Sequence, residues 1–373
     1  MYPPACELSV DWRKPAATTA APVPVVTSQT MPAPRLRELD ALRGFAAIAV
    51  VLFHLSYLHD KAGLAPFHLS GGHYGVELFF MISGFVIFMS LAGARSLGGF
   101  LVSRIARLYP AYWCAALATA AVAYATSSHP PSPAAIIANL TMLQSFVGIP
   151  SVDPSYWTLA VEIEFYAGIG MIFAVGLINR IDAIGVGCLL GCHAFKLVAA
   201  WRGMAPAFAG DGLDAYAGCF IIGICLFRLR AGQGSWSTYA ALLLALLYAA
   251  WGGPAPSLSP DGLRYFAITC ALALMVWLAV KGHATWLCWP PLLWAGGISY
   301  PLYLVHQLIG SVAMSAAHRH GLPGAFELAV ASVVALAVAI HRWIETPGRR
   351  LLRRRLSGLV AGPFGRPQPG GTA

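Results

Sequence analysis

The sequence predicts an all-α integral membrane protein of about ten transmembrane helices around a central cavity, with both termini cytoplasmic. Three observations predict it. Charged residues make up only 10% of the 373 residues, where a soluble domain carries roughly a quarter, so a water-facing surface of this size would lack polar cover. Apolar residues, 58% of the chain, fall in long blocks such as 45–55 and 239–251, a pattern that reads as lipid-spanning helices. The net charge of +9 is carried between those blocks rather than on a soluble face. That distribution is the bias of cytoplasmic loops and excludes a nucleic-acid-binding reading.

Taken in order, the spans are expected near 41–59, 74–93, 109–126, 156–178, 183–201, 213–229, 236–252, 263–280, 296–315 and 325–344. Each approaches the ~20 residues that cross the hydrocarbon. With the N-terminus inside, nineteen of the 24 Lys and Arg fall on the cytoplasmic side, including the Arg349–Arg355 cluster. An odd span count would put that cluster outside, against the positive-inside rule. Residues 1–34, rich in Pro, Ala and Thr, are expected to be a disordered cytoplasmic tail. Residues 35–356 form the transmembrane domain, and 357–373 a short flexible cytoplasmic tail. The outer connection 127–155 holds an apolar stretch, 136–146, too short to span; it lies in the interface or folds back toward a cavity. The eight cysteines include no CxxC pair and read as small buried residues, with no metal site.

Ionisable residues inside spans are costly and mark function or a helix contact. Arg43 and His54 are eleven residues apart, so they share a face of one helix about 16 Å apart along its axis. The histidine suits a general base; the plainer reading is a headgroup anchor and a hydrogen-bonded interior histidine. Arg104 and Arg107, three apart, suit either a phosphate clamp or ordinary anchoring. Glu162 and Tyr166 share a face in the span that Trp157 opens, with Glu164 pointing elsewhere; Glu162 either assists a catalytic histidine or pairs with a buried cation. Glu77, Ser83 and Gly84 begin the second span, where the small residues allow close helix approach and Glu77 is either solvated or functional. Ser299, Tyr303 and His306 recur on one face beside Tyr300 and Pro301, as a cavity lining or a helix contact.

Together these stretches resemble the membrane acyltransferase-3 family. They are Arg43-x10-His54, the run Gly-Val-Glu-Leu-Phe-Phe-Met-Ile-Ser-Gly at 75–84, Arg104-x-x-Arg107 with a following Leu-Tyr-Pro, Trp157-Thr-Leu-x-x-Glu162-x-x-Phe-Tyr166, Ile298-Ser-Tyr-x-x-Tyr-Leu-x-His306 and Glu345-Thr-Pro347. Thr158 stands where the family commonly has Ser, and Glu77 where it often has Asp. The resemblance implies an enzyme of the plasma (inner) membrane, an acyltransferase of groups other than aminoacyl. It would move an acyl group, by prevalence acetyl, from cytoplasmic acyl-CoA to a hydroxyl of a carbohydrate such as an exopolysaccharide or lipopolysaccharide. His54, Arg43 and Glu162 are then the catalytic candidates, Arg104 and Arg107 hold acyl-CoA, and Glu77, Ser83, Trp157, Tyr166, Ser299, Tyr300, Tyr303 and His306 line the cavity. Glu162 is expected to orient His54, and Ser299, Tyr303 and His306 to donate to the oxyanion. Expected partners are membrane lipid, acyl-CoA and the carbohydrate acceptor. The competing reading is a multi-span transporter or flippase of a polysaccharide precursor, disfavoured by the lack of an internal repeat.

Overall fold

The computed structural model describes residues 36–59, 65–94, 96–202, 212–251 and 260–360, and these form a helical bundle with no strand among them. Thirteen α-helices are described: α1 Arg37–His59, α2 Gly75–Ala92, α3 Leu97–Thr126, α4 Pro133–Asn139, α5 Trp157–Ala174, α6 Ile181–Trp201, α7 Leu213–Arg230, α8 Trp236–Trp251, α9 Pro260–Val280, α10 Pro290–Val305, α11 Leu308–Arg319, α12 Ala325–Ile340 and α13 Thr346–Val360. The expected tail at 1–34 lies outside the described residues, and the one expected from 357 begins inside α13, which runs to Val360.

Among the described residues, seven helical segments are long and apolar enough to cross a membrane. The remaining three expected spans are also helical, each with a reason to fall short. Helix α7 carries Asp214, Arg228 and Arg230 at its ends, α8 is 16 residues long, and the span expected at 296–315 is broken between α10 and α11. Helix α3 starts well before the expected 109 because Ser96 caps it, its Oγ accepting from Gly99 N at 3.1 Å, so Arg104 and Arg107 are helical.

Glycines set the tightest helix contacts. A Cβ on Gly44 or Gly296 would run into the backbone of Leu292 or Asp40, which draws α1 onto α10. Gly84 and Gly223 do the same for α2 and α7, against the carbonyls of Phe220 and Met81. Between membrane helices, where apolar burial supplies little net force, such backbone-to-backbone packing is the main attraction.

The break after α10 has an identifiable cause. In an unbroken helix Leu308 N would donate to Leu304 O. Instead Leu308 N donates to Asp153 Oδ2 at 3.0 Å, and Leu304 O accepts from Tyr156 Oη at 3.0 Å. Residues 153–156, just before α5, therefore satisfy both groups that the break frees, as apolar surroundings require. The preceding connection folds back onto α3. Tyr109 and Trp113 donate to Thr141 O and Leu140 O at 2.9 and 3.0 Å, Tyr112 donates to Asn139 O, and Asn139 Oδ1 accepts from Val152 N at 2.9 Å. The apolar stretch 136–146 thus becomes the short helix α4 and a turn, with Ile137, Leu143 and Phe146 exposed.

Candidate active site

Helices α1, α2, α3, α5 and α10 line a partly open cavity, about 620 Å³ of empty space with its mouth included. Its polar lining is Arg43, Ser83, Arg107, Thr158, Glu162, Ser299, Tyr300 and Tyr303, with Val76, Phe79, Phe80, Leu108 and Leu159 as the apolar wall. Seven of these polar residues are sequence candidates, drawn from five helices. Tyr166 stands behind Glu162 and donates to its Oε1 at 2.7 Å, and Ser83 Oγ donates to the same oxygen at 3.3 Å. Arg43 is half-buried, with Arg107, Asp40 and Glu162 as its charged neighbours. The cavity therefore has two guanidiniums facing one carboxylate that already accepts two hydroxyls.

At the other end of α1 a histidine pair lies beyond Tyr303. His54 Nδ1 is 3.1 Å from His306 Nε2. Each imidazole also has Nδ1 against a main-chain carbonyl: His306 on Tyr303 O at 2.6 Å and His54 on Val50 O at 3.0 Å. A carbonyl only accepts, so both rings carry their proton on Nδ1. The one Nδ1–H of His54 is then shared between Val50 O and His306 Nε2, and His54 Nε2 is left with its lone pair. His306 is fully buried and His54 partly exposed. Tyr303 connects the two regions: it lines the cavity, meets Phe79 edge-on at 6.2 Å between ring centres, and lies 5.3 Å from the His306 ring.

Several candidates sit elsewhere. Arg104 is one turn from Arg107 but reaches away, to Ser90 Oγ and Ser103 Oγ at 3.4 and 3.3 Å and over the ring of Phe100. Glu77 is buried, not solvated, and accepts from Tyr265 at 3.1 Å, facing α9. Trp157 packs against Tyr216 at 5.4 Å rather than on the cavity wall. Glu162 hydrogen-bonds Ser83 and Tyr166, not His54; the carboxylate electrostatically coupled to His54 is Asp153. The expected oxyanion donors are already engaged: Ser299 donates to Gly296 O at 2.9 Å, Tyr303 to Ser155 O at 2.9 Å, and His306 to Tyr303 O.

Sequence reasoning passed over Asp153 and gave Thr158 no role. Asp153 is fully buried and accepts from Ser155 N, Ser155 Oγ and Leu308 N. Burial pushes its carboxyl above the ordinary carboxylate range, opposed by those donors. The signal was present, an acid in a proline-flanked turn directly before the Trp157 motif, but its partner lies 155 residues away. Thr158 Oγ1 is 2.7 Å from Tyr303 Oη and ties α5 to α10 at the edge of the cavity. No group of His, Cys, Asp and Glu among the described residues is placed to hold a metal ion.

A bundle of apolar helices around a polar cavity, with Tyr303 of its lining in contact with a buried histidine pair, is the arrangement of a membrane-embedded enzyme. The acyltransferase domain of the acyltransferase-3 family matches residues 36–342, and this chain belongs to that family; it is an acyltransferase. It is 26% identical to Acyltransferase MdmB of Streptomyces mycarofaciens over 86% of this chain and 93% of that protein. It is 30% identical to Peptidoglycan O-acetyltransferase OatA of Listeria monocytogenes, over 35% of this chain and 22% of that protein. No solved structure matches the chain significantly.

Proposed function

We propose that this protein is an O-acyltransferase of the plasma membrane that takes an acyl group, acetyl in the first instance, from cytoplasmic acyl-CoA and places it on a hydroxyl of a carbohydrate. The observation that carries this reading is the polarity along α1. An arginine-rich cavity lies at the Arg43 end, and a histidine with an unprotonated nitrogen lies about 16 Å away at the other. That distance is one an extended pantetheine arm covers. Ten spans with both termini cytoplasmic, 35–356 as the membrane domain, and the positive-inside distribution put the arginines toward the cytosol. The O-acetyltransferase named among the relatives supports the acetyl group and a glycan acceptor.

In this scheme Arg107 and Arg43 hold the donor's diphosphate and the arm runs past Phe79 and Tyr303. His54 Nε2 accepts the proton of the acceptor hydroxyl as its oxygen attacks the thioester carbonyl. The tetrahedral intermediate collapses to the ester, and the departing thiolate takes the proton back from His54. His306 accepts from His54 Nδ1 and fixes the ring, and Asp153 stabilises the transient imidazolium across the buried pair. Ser299, Tyr300 and Tyr303 shape the passage, and Glu162, held by Ser83 and Tyr166, positions Arg43.

The experiment is transfer of label from acetyl-CoA to cell-surface glycan in membranes bearing wild type or His54→Gln. Transfer is expected with wild type and absent with the variant at equal protein level. Undiminished transfer by the variant overturns the scheme.

A further inference from the structure

Coenzyme A carries two separate phosphate groups, a diphosphate in the chain and a monophosphate on the ribose, and the cavity's Arg43 and Arg107 account for one. Beyond the cavity, α13 lies against α3. Contact is close at Gly348, where a Cβ would come within 2.7 Å of Pro110 Cβ. A π-turn at His341–Glu345 leads into α13, with Glu345 buried and 2.7 Å from His341 Nδ1. Arg349 and Arg353, four apart, share the α13 face turned to this region. The charged neighbours of Arg349 are Arg107, Arg104, Arg353 and the single carboxylate Glu345.

Arg353 lines an open surface recess with the end of α2 and the first turns of α3: Ser90, Ser96, Gly99, Phe100 and Ser103. Ser90 and Ser103 are the residues that hold Arg104, whose Nε is buried without a partner. Among the described residues no carboxylate is ion-paired with Arg104, Arg107, Arg349 or Arg353. Arg349 and Arg353 are exposed and Arg349 has one acid, Glu345, against three guanidiniums among its charged neighbours; the buried Arg104 N–H without an acceptor is costly. The hydroxyls of Ser96 and Ser103, which line the recess, add donors for an anion, while that of Ser90 is committed to Val86 O at 2.7 Å.

We propose that Arg349 and Arg353 of α13, with Arg104, form a second anion subsite that takes the 3′-phosphate of the donor's coenzyme A. The proposal rests on the acyl-CoA reading and adds residues that reading does not use. A phospholipid headgroup offers the same chemistry at the same depth, so the test separates the two sources.

The full chain is placed in phosphatidylcholine nanodiscs and titrated with coenzyme A and with 3′-dephospho-coenzyme A. Wild type is expected to bind the first about tenfold more tightly, the difference one or two guanidinium–phosphate contacts make. The R349Q/R353Q pair is expected to bind both at the wild-type 3′-dephospho level, and R349K/R353K to keep most of the preference, which shows that the helix still docks. A preference that survives in R349Q/R353Q overturns the proposal. So does a wild type that binds both compounds equally. A glutamine pair that keeps the preference but loses the response of coenzyme A binding to added phosphatidylglycerol assigns the arginines to the bilayer and also overturns it. If wild type binds neither compound, the acyl-CoA donor itself fails, a result distinct from the loss of discrimination.

Discussion

The two ends of α1 handle hydrogen bonding in opposite ways. At the histidine end the donors of the pair are committed: His306 to Tyr303 O, and the one His54 Nδ1–H shared between Val50 O and His306, beside Leu308 N on Asp153. What the pair keeps free is one acceptor, the lone pair of His54 Nε2. At the arginine end the reverse holds. Arg43 and Arg107 line the cavity with more donors than the one doubly bonded carboxylate, Glu162, can accept from. A saturated site suits proton transfer, where geometry has to be held. A donor-rich site suits binding of an anion that arrives and leaves.

The largest effect that tests this contrast is expected at His54. His54→Gln keeps a side chain of similar reach but no titratable nitrogen, and kcat should fall by about 10²- to 10⁴-fold. The KM for acetyl-CoA should stay near wild type. A KM change as large as the kcat change would break the division between the two ends. Arg107→Gln is expected to do the converse, raising KM for acetyl-CoA about tenfold with kcat little altered; steady-state kinetics on membranes reads both.

Asp153→Asn sharpens the picture at the histidine end. An amide NH₂ would have to replace an oxygen that now accepts from Ser155 or Leu308. The loss should be about 1–3 kcal/mol, seen as a lower melting temperature in detergent. A drop in kcat per folded molecule marks Asp153 as a residue that positions the histidines; unchanged kcat confines it to holding the helix break. Tyr303→Phe should have the smallest effect, about 1 kcal/mol of stability and a few-fold in rate. It removes the bonds to Ser155 O and Thr158 while keeping the ring between cavity and histidines.

Much of this was legible along single helices. The eleven-residue spacing of Arg43 and His54 and the four-residue step from Glu162 to Tyr166 are set by helical periodicity, and the structure shows the second as a 2.7 Å hydrogen bond. The face shared by Arg104 and Arg107 was legible too, but not that Arg107 enters the cavity while Arg104 turns to Ser90. That choice depends on what the end of α2 presents to α3. Trp157 and Glu77 were read as lining from their place in a motif, and their neighbours Tyr216 and Tyr265 on α7 and α9 drew them elsewhere.

By itself the sequence determined the membrane setting, the helices and which faces carry polar groups, because apolar length and a period of 3.6 are local properties of the chain. Tertiary structure alone decided that α10 breaks, that His54 meets His306 across 252 residues, and that Asp153, 155 residues from Leu308, holds the N–H the break frees. A backbone group freed inside an apolar bundle has to find its partner wherever the fold brings one, and that partner's place in the chain follows no local rule.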